Sequence, residues 1–182
     1  HTGHLVDQRA VDIPLILQDH VLSDISLTVS DLVGLAGRFE HLAYIKLESG
    51  NIIHKARALL AASEGQLAGV FGGNSGIFLP EEVEAGCCGT MPACYMPEVF
   101  RKTWDLLESG DMEAAHSWFL PFSRLAAYEK EIANRCVWKA LLVERGIIAS
   151  GAVREPVPAF ADDWQREQLL RVAHRAGLFE QY

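Results

Sequence analysis

Hydrophobic and polar positions in the first half of the chain alternate between short apolar runs and amphipathic stretches. The apolar runs are rich in β-formers and bounded by turn residues, so each predicts a β-strand: residues 13–18, 42–50, 67–71 and 87–91. An amphipathic segment that predicts a helix follows each of the first three runs. This order of strands and helices indicates repeated βα units and therefore a parallel sheet in an α/β fold.

The predicted helices carry recognisable start and stop signals. Thr28 and Asp31 have the spacing of a capping box, with Asp in place of the usual Glu. A second helix is expected over residues 52–62. Pro80 begins a third helix, which has two glutamates in its first turn and Gly86 beyond its end.

Beyond Pro97 the pattern predicts helices only. Aromatic and aliphatic residues recur there at helical spacing, in stripes that are typical of core packing. Four helices are expected, the second kinked by Pro121, the third over residues 134–145 and the last ending at Gly177. The chain therefore divides into a βα part, residues 1–96, and a helical part, residues 97–182.

Composition narrows the functional class. The 182 residues include 16 basic and 24 acidic side chains, for a net charge of −8, and the basic residues form no cluster. This argues against a nucleic-acid partner. No apolar stretch approaches the roughly 20 residues that span a bilayer, and the N-terminus lacks a signal-peptide pattern. We expect a protein of the cytoplasm with no membrane partner.

The four cysteines do not have the spacing of a metal site. Cys87 and Cys88 are adjacent, which disfavours a disulfide between them, and neither Cys94 nor Cys136 has a nearby histidine or Cys-x-x-Cys partner. We expect buried or half-buried free thiols rather than a zinc centre.

Lys46 is the first candidate for chemistry. It lies in the predicted strand at 42–50, where alternation places Tyr44 and Glu48 on its own face and Ile45 on the other. If both faces are covered, desolvation favours the neutral amine, which can attack a carbonyl to form a Schiff base. If the strand lies at the edge of the sheet, the ammonium simply points into solvent.

Four βα units leave the architecture open. A complete (β/α)8 barrel typically needs about 250 residues, and four strands cannot close one. The chain could form an open sheet with covered edges, or it could be the second part of a barrel whose first part lies elsewhere.

Several segments, in the same order, resemble the dihydrodipicolinate synthase and N-acetylneuraminate lyase family. They are Tyr44-Ile45-Lys46-Leu47-Glu48-Ser49-Gly50, then Gly86-Cys87-Cys88-Gly89-Thr90-Met91-Pro92, then Asn134 with Lys139, and finally Gly146 with Arg154-Glu155-Pro156. The resemblance implies strands five to eight of a TIM barrel within residues 1–96. It implies the last barrel helix and a C-terminal helical extension in residues 97–182.

The resemblance also implies a chemistry. The family's lysine, here Lys46, condenses with the ketone of pyruvate or another 2-oxo acid, and the imine serves as the electron sink for a lyase reaction. No cofactor or metal is implied, and the expected assembly is a homo-oligomer, a dimer or tetramer. A non-catalytic relative that only binds a 2-oxo acid is the alternative.

The chain departs from the family at Gln18. A proton-relay tyrosine usually stands there in a Tyr-Asn-x-Pro run, and an amide cannot trade a proton near neutral pH. Gln18 could still position substrate or water, and Asp19 or His20 could supply acid–base function. This run resembles the branch acting on 2-keto-3-deoxy sugar acids, which includes 2-keto-3-deoxyarabonate dehydratase.

The glycine-rich run at residues 72–76 follows the third predicted strand. Loops at this place often bind anions through backbone N–H groups, although a plain turn explains the composition equally well. With Thr90 on the next predicted strand, Gly72 and Gly73 form the predicted substrate-binding set.

Overall fold

The structure is a computed structural model, and it describes residues 12–20, 26–132, 136–156 and 160–180. Four strands form one sheet: β1 Leu15–His20, β2 Leu42–Glu48, β3 Gly69–Gly72 and β4 Gly89–Thr90. All neighbours are parallel, and the spatial order β1-β2-β3-β4 follows the chain. The prediction of a parallel sheet built from βα units is confirmed.

Three strands, β1, β3 and β4, begin two residues later than predicted, and β4 is also shorter, spanning only Gly89–Thr90. Ile13 is 60% exposed, and Pro14 has no N–H, so the ladder begins at Leu15, whose N–H donates to the His41 carbonyl at 2.7 Å. β1 also extends to His20, two residues beyond the predicted end. The third strand begins at Gly69 rather than residue 67, although the Ala68 N–H already donates to the Ala43 carbonyl.

Three helices accompany the strands: α1 Val29–Arg38, α2 Ile52–Ser63 and α3 Leu79–Glu84. The capping box of α1 is present in both directions, because the Thr28 hydroxyl accepts from the Asp31 N–H and the Asp31 carboxylate accepts from the Thr28 N–H. These two hydrogen bonds stabilise α1 because they satisfy N–H groups at the start of the helix that would otherwise lack partners.

The apolar core of this part lies between the sheet and helices α1 and α2. Ile45 and Leu47 of β2 are fully buried there, together with Val70 of β3. The helices contribute further buried residues, of which the best covered are Leu32, Ala56 and Leu59. Burying a large aliphatic side chain contributes about 1.5–3 kcal/mol. This burial holds the Ile45 and Leu47 face of β2 against the helices, so the opposite face, which carries Lys46, points away from them.

The strand that carries Lys46 is central. β2 pairs with β1 on one side and with β3 on the other, so the alternative of an edge lysine in solvent is wrong. β1 has a neighbouring strand on one side only among the described residues, and its Ile16 side chain is 48% exposed.

The remaining chain is helical, as predicted: α4 Pro97–Glu108, α5 Met112–Ile132, α6 Cys136–Glu144 and α7 Asp163–Arg175. α5 continues through Pro121. The aromatic stripes pack as core, with the rings of Phe100 and Phe119 5.8 Å apart. Asn134, part of the family resemblance, lies outside the described residues.

The chain separates into two compact units. One comprises the described residues within His1–Gly73 together with Glu81–Met91, and the other comprises Asn74–Pro80 and the described residues from Pro92 onward. All the residues discussed below as a candidate site belong to the first unit. The domain limits predicted at 96 and 97 stay a prediction.

Two further sequence expectations concern the whole described part. All four cysteines are thiols that form no disulfide, and Cys87 and Cys136 are buried, whereas Cys88 and Cys94 are exposed rather than half-buried. None of the helices in the described ranges is long and apolar enough to cross a membrane.

Candidate active site

Polar side chains from two neighbouring strands converge where those strands end. Gln18 of β1 pairs in register with Lys46 of β2, and His20 pairs with Glu48. Residues two apart on a strand share a face, so these four side chains lie on one side of the sheet, opposite the helix-covered Ile45. This is the carboxyl end of the parallel strands, the end at which barrel enzymes place their chemistry.

Glu48 is the centre of this group. Its carboxylate lies 3.0 Å from the Lys46 amine, accepts a hydrogen bond from the Gln18 amide, and lies 3.9 Å from Nε2 of His20. Glu48 is buried, and the Lys46 side chain is 16% exposed. The arrangement brings a nucleophilic amine, a carboxylate able to accept its proton and an orienting amide into direct contact.

Two aromatic side chains share the sheet face of Lys46. Phe71 stands beside Lys46 in register, and its ring lies 5.5 Å from that of Tyr44. Gly69 leaves room for Cys88, because a Cβ at Gly69 would come within 2.5 Å of the Cys88 sulfur. An amine bordered by aromatic rings is partly shielded from water, which strengthens its interaction with the carboxylate.

Two adjacent glycines border this group, and each leaves room for the side chain of one glutamate. A Cβ at Gly73 would lie 2.5 Å from Cγ of Glu48, and a Cβ at Gly72 would lie 1.9 Å from Cδ of Glu82. Successive residues of an extended strand face opposite sides, so the two carboxyl groups approach the chain from opposite sides. Close approach therefore explains both glycines, with no need for a positive φ.

Glu82 of α3 is the second buried acid. It is fully buried, and among the described residues neither carboxyl oxygen has a partner at hydrogen-bonding geometry. The pKa of Glu82 is raised to about 7, mainly by burial and in smaller part by the charges of Glu81 and Glu48, against the lowering effect of the Thr90 hydroxyl and the Gly73 N–H.

A separate buried cluster lies on the helix side of the same two strands. Asp19 alternates with Gln18 and therefore points the other way; its carboxylate accepts from the Lys55 amine at 2.5 Å and from the Ser49 hydroxyl. The structure thus ties Asp19 to α2 and not to Lys46. Of the two acid–base candidates beside Gln18, only His20 lies in the Lys46 group.

The structure divides the predicted site residues into two sets. Lys46 and Gln18 are brought together through Glu48, and Gly73 borders Glu48. Gly72 and Thr90 instead pair in register on the opposite side of the strands, where Thr90 lies beside Glu82.

Sequence reasoning missed the roles of Glu48 and Glu82. The two-residue spacing from Lys46 was a usable signal for Glu48, since it fixes a shared face. Glu82 carried no such signal, because its position fitted an ordinary first-turn acid of a helix. No group of three or more His, Cys, Asp or Glu able to hold a metal ion occurs within the described ranges.

Comparisons with known proteins bear on this arrangement. The sequence matches no family model. A curated relative, the L-2-keto-3-deoxyarabonate dehydratase of Azospirillum brasilense, is 29% identical over 166 residues, which are 91% of this chain and 53% of that protein. The solved dihydrodipicolinate synthase of Rhodopseudomonas palustris is 27% identical with a TM-score of 0.81, over 90% of this chain and 56% of that one.

A second solved structure, the chloride-inhibited dihydrodipicolinate synthase of Acinetobacter baumannii complexed with pyruvate, is 25% identical with a TM-score of 0.80. The match covers 93% of this chain and 57% of that one. The predicted resemblance to the dihydrodipicolinate synthase family is confirmed. The chain spans about half the length of the relatives it matches, and it has the fold of the C-terminal part of the family's (β/α)8 barrel followed by a helical extension.

Proposed function

We propose that this chain provides the Schiff-base part of a lyase site that acts on a 2-oxo acid, with Lys46 as the nucleophile. The contact between the Lys46 amine and the Glu48 carboxylate, at the carboxyl end of a central strand, is the observation that carries the proposal. Similarity to a 2-keto-3-deoxyarabonate dehydratase supports a 2-keto-3-deoxy sugar acid as the substrate class, and a pyruvate complex of a relative supports a 2-oxo acid more generally.

The first step forms the imine. Glu48 accepts the proton of the Lys46 ammonium, and the free amine attacks the 2-oxo carbon of the substrate. The carbonyl oxygen takes up two protons, one from the amine nitrogen and one returned by Glu48, and leaves as water. The product is a protonated imine that joins Lys46 to the substrate carbon.

The second step removes water from the substrate. Glu48 takes a proton from C3, and the C3–H electrons move into the imine to give an enamine. Those electrons return to form the C3–C4 double bond as the C4 hydroxyl departs, with a proton, as water. Hydrolysis of the imine by one water releases the unsaturated 2-oxo acid and restores Lys46, so the net change is the loss of one water.

Gln18 takes a positioning role in this scheme. Its amide donates to Glu48 and cannot itself transfer a proton. Gln18 therefore occupies the position of the relay tyrosine without its proton-transfer role. Glu48 supplies the proton transfer instead, and His20, at 3.9 Å, is next in reach. Gly73 completes the site because only a residue without a side chain lets Glu48 lie against the strand end.

Trapping with borohydride tests the proposal. Full-length protein is reduced in the presence of pyruvate, and its peptides are mapped by mass spectrometry. We expect one adduct, on the peptide that contains Lys46, and none in Lys46→Ala. Lys55 serves as an internal control, since it is buried to the same degree but belongs to the other face of the strands.

A specific observation favours a second function. Without a tyrosine at Gln18, the site could bind a 2-oxo acid and not react with it. Saturable pyruvate binding, measured calorimetrically, with no adduct from pyruvate or several other 2-oxo acids would establish the binding protein and exclude the lyase. A dihydrodipicolinate synthase activity would instead appear as condensation of the trapped pyruvate with an aldehyde. The homo-oligomeric assembly stays a prediction, to be checked by sedimentation.

A further inference from the structure

We propose that Glu82 is a positioning residue for the Lys46–Glu48 pair. It lies on the other side of the Gly72–Gly73 backbone, and its charge affects the reactivity of the pair. The inference rests on the proposed function for its catalytic meaning. Its structural basis is independent: a fully buried acid packs against Gly72, while Glu48 packs against Gly73 on the other side.

The separation between the two acids consists of backbone only. Neither glycine has a side chain that would keep the carboxyl groups apart, and Glu48 already contributes to the raised pKa of Glu82. Unlike Asp19, which is held by Lys55 and Ser49, Glu82 has no cation within the described contacts. A carboxyl group in this situation is neutral at acidic pH and ionises close to neutrality.

The groups that face Glu82 come from each element around it. They are Glu48 at the end of β2, the Gly73 N–H after β3, the Thr90 hydroxyl of β4, the Cys87 thiol before β4, and Glu81 on its own helix. Burial and the nearby Glu82 raise the pKa of Cys87 to about 12, so that thiol stays neutral. Glu48 is therefore the charged group outside α3 that Glu82 affects.

Ionisation of Glu82 would place a second negative charge beside Glu48. That charge favours the ammonium form of Lys46 over the free amine that attacks the substrate, so imine formation slows as Glu82 ionises. The neutral acid has the opposite effect. The catalytic residues remain Lys46 and Glu48, and Glu82 acts only through them.

The test compares wild type with Glu82→Gln, which keeps the shape and cannot ionise. Exchange of the methyl protons of pyruvate for deuterium, followed by NMR in the full-length protein, reports imine and enamine formation. We expect the ratio of the variant's rate to the wild-type rate to rise by about two- to threefold as pH passes through about 7. A purely structural Glu82 would give a ratio that does not depend on pH.

Carboxyl NMR of protein labelled at glutamate supplies a readout without substrate. A resonance that titrates near pH 7 and is lost in Glu82→Gln is expected, and Glu48 should titrate at lower pH in the variant. Thr90→Val, which removes a hydroxyl that lowers the pKa of Glu82, should move the Glu82 midpoint upward. Glu84→Gln, at an exposed position of the same helix, is the matched control and should give a ratio to wild type that does not depend on pH.

The outcomes separate this inference from the proposed function. A constant ratio, or no carboxyl group titrating near neutral pH, would overturn the positioning role even if Lys46 forms its adduct. If wild type gives neither exchange nor adduct, the lyase is excluded, and the shift of Glu48 in Glu82→Gln alone decides whether the two acids are coupled. No shift in that case overturns the inference as well.

Discussion

The two faces of the β1–β2 pair each hold a buried lysine, and the comparison between them is instructive. Lys46 and Lys55 have side chains that are 16% and 13% exposed, and each contacts a carboxylate, Glu48 at 3.0 Å and Asp19 at 2.5 Å. By burial and ion pairing the two are nearly alike. They differ in what surrounds the pair.

Lys55 lies within the helix–sheet layer, where the Ser49 hydroxyl donates to Asp19 and accepts from Lys55. Lys46 lies on the face opposite α1 and α2, at the carboxyl end of a central strand. Here the partner carboxylate also receives an amide from Gln18. A shielded lysine with an acid partner is thus insufficient evidence of chemistry; the face of the sheet and the nearby groups decide.

The largest expected effect comes from exchanging each lysine for arginine. Arginine keeps the positive charge and cannot form an imine, so Lys46→Arg should lower pyruvate exchange by about a thousandfold or more. Lys55→Arg should retain exchange within a few-fold. Equal losses in both variants, measured by NMR on folded protein, would remove the distinction between the two lysines.

The second effect concerns stability on the helix side. Asp19→Ala leaves Lys55 buried without its carboxylate, which typically costs roughly 3–5 kcal/mol of unfolding free energy. Urea denaturation measures the loss. Asp19→Ala with Lys55→Met should recover much of it, because no unpaired charge remains; failure to recover would mean that the pair matters for packing rather than for charge.

The third effect comes from Glu82, the buried acid without a cation. Its pKa is raised from an ordinary value of 4.5 to about 7, so the folded state keeps a proton that the unfolded state releases. The stability from this group is therefore full below pH 4.5 and lost as pH rises to about 7, by roughly 3 kcal/mol. Chemical denaturation across that window should show the decline in wild type and not in Glu82→Gln.

The smallest of the four effects tests the partner of Lys46. Glu48→Gln retains the size of the side chain and removes the proton acceptor, so exchange should fall on the order of a hundredfold. Asp19→Asn is the matched amide on the other face and should leave the exchange rate, per folded molecule, within a few-fold of wild type. Full activity of Glu48→Gln would indicate that His20, and not Glu48, supplies the acid–base function.

Much of the fold was predictable because its signals are local. The Thr28 and Asp31 capping box needs only three residues of spacing, and the alternation around Lys46 assigned Ile45 to the helix side correctly. The central position of β2 was not predictable from its own sequence. It depends on strands that arrive from both sides, which only the assembled sheet reveals.

The candidate site was predictable in part. Lys46 and Gln18 followed from the family resemblance, and their contact through Glu48 required knowledge of register. Glu82 could not be found, because its burial arises from Gly72, ten positions earlier in the chain. The sequence pattern of a helix does not show which strand the helix packs against.

The open side of β1 has a practical consequence for work with this chain. Among the described residues β1 has a neighbouring strand on one side only, and Ile13 and Ile16 are exposed beside it, so its other side offers a template on which a strand from another molecule can add. Self-association of the purified chain is therefore the expected difficulty despite its net charge of −8. Freshly diluted samples, monitored by light scattering, are the appropriate material for every comparison of variants.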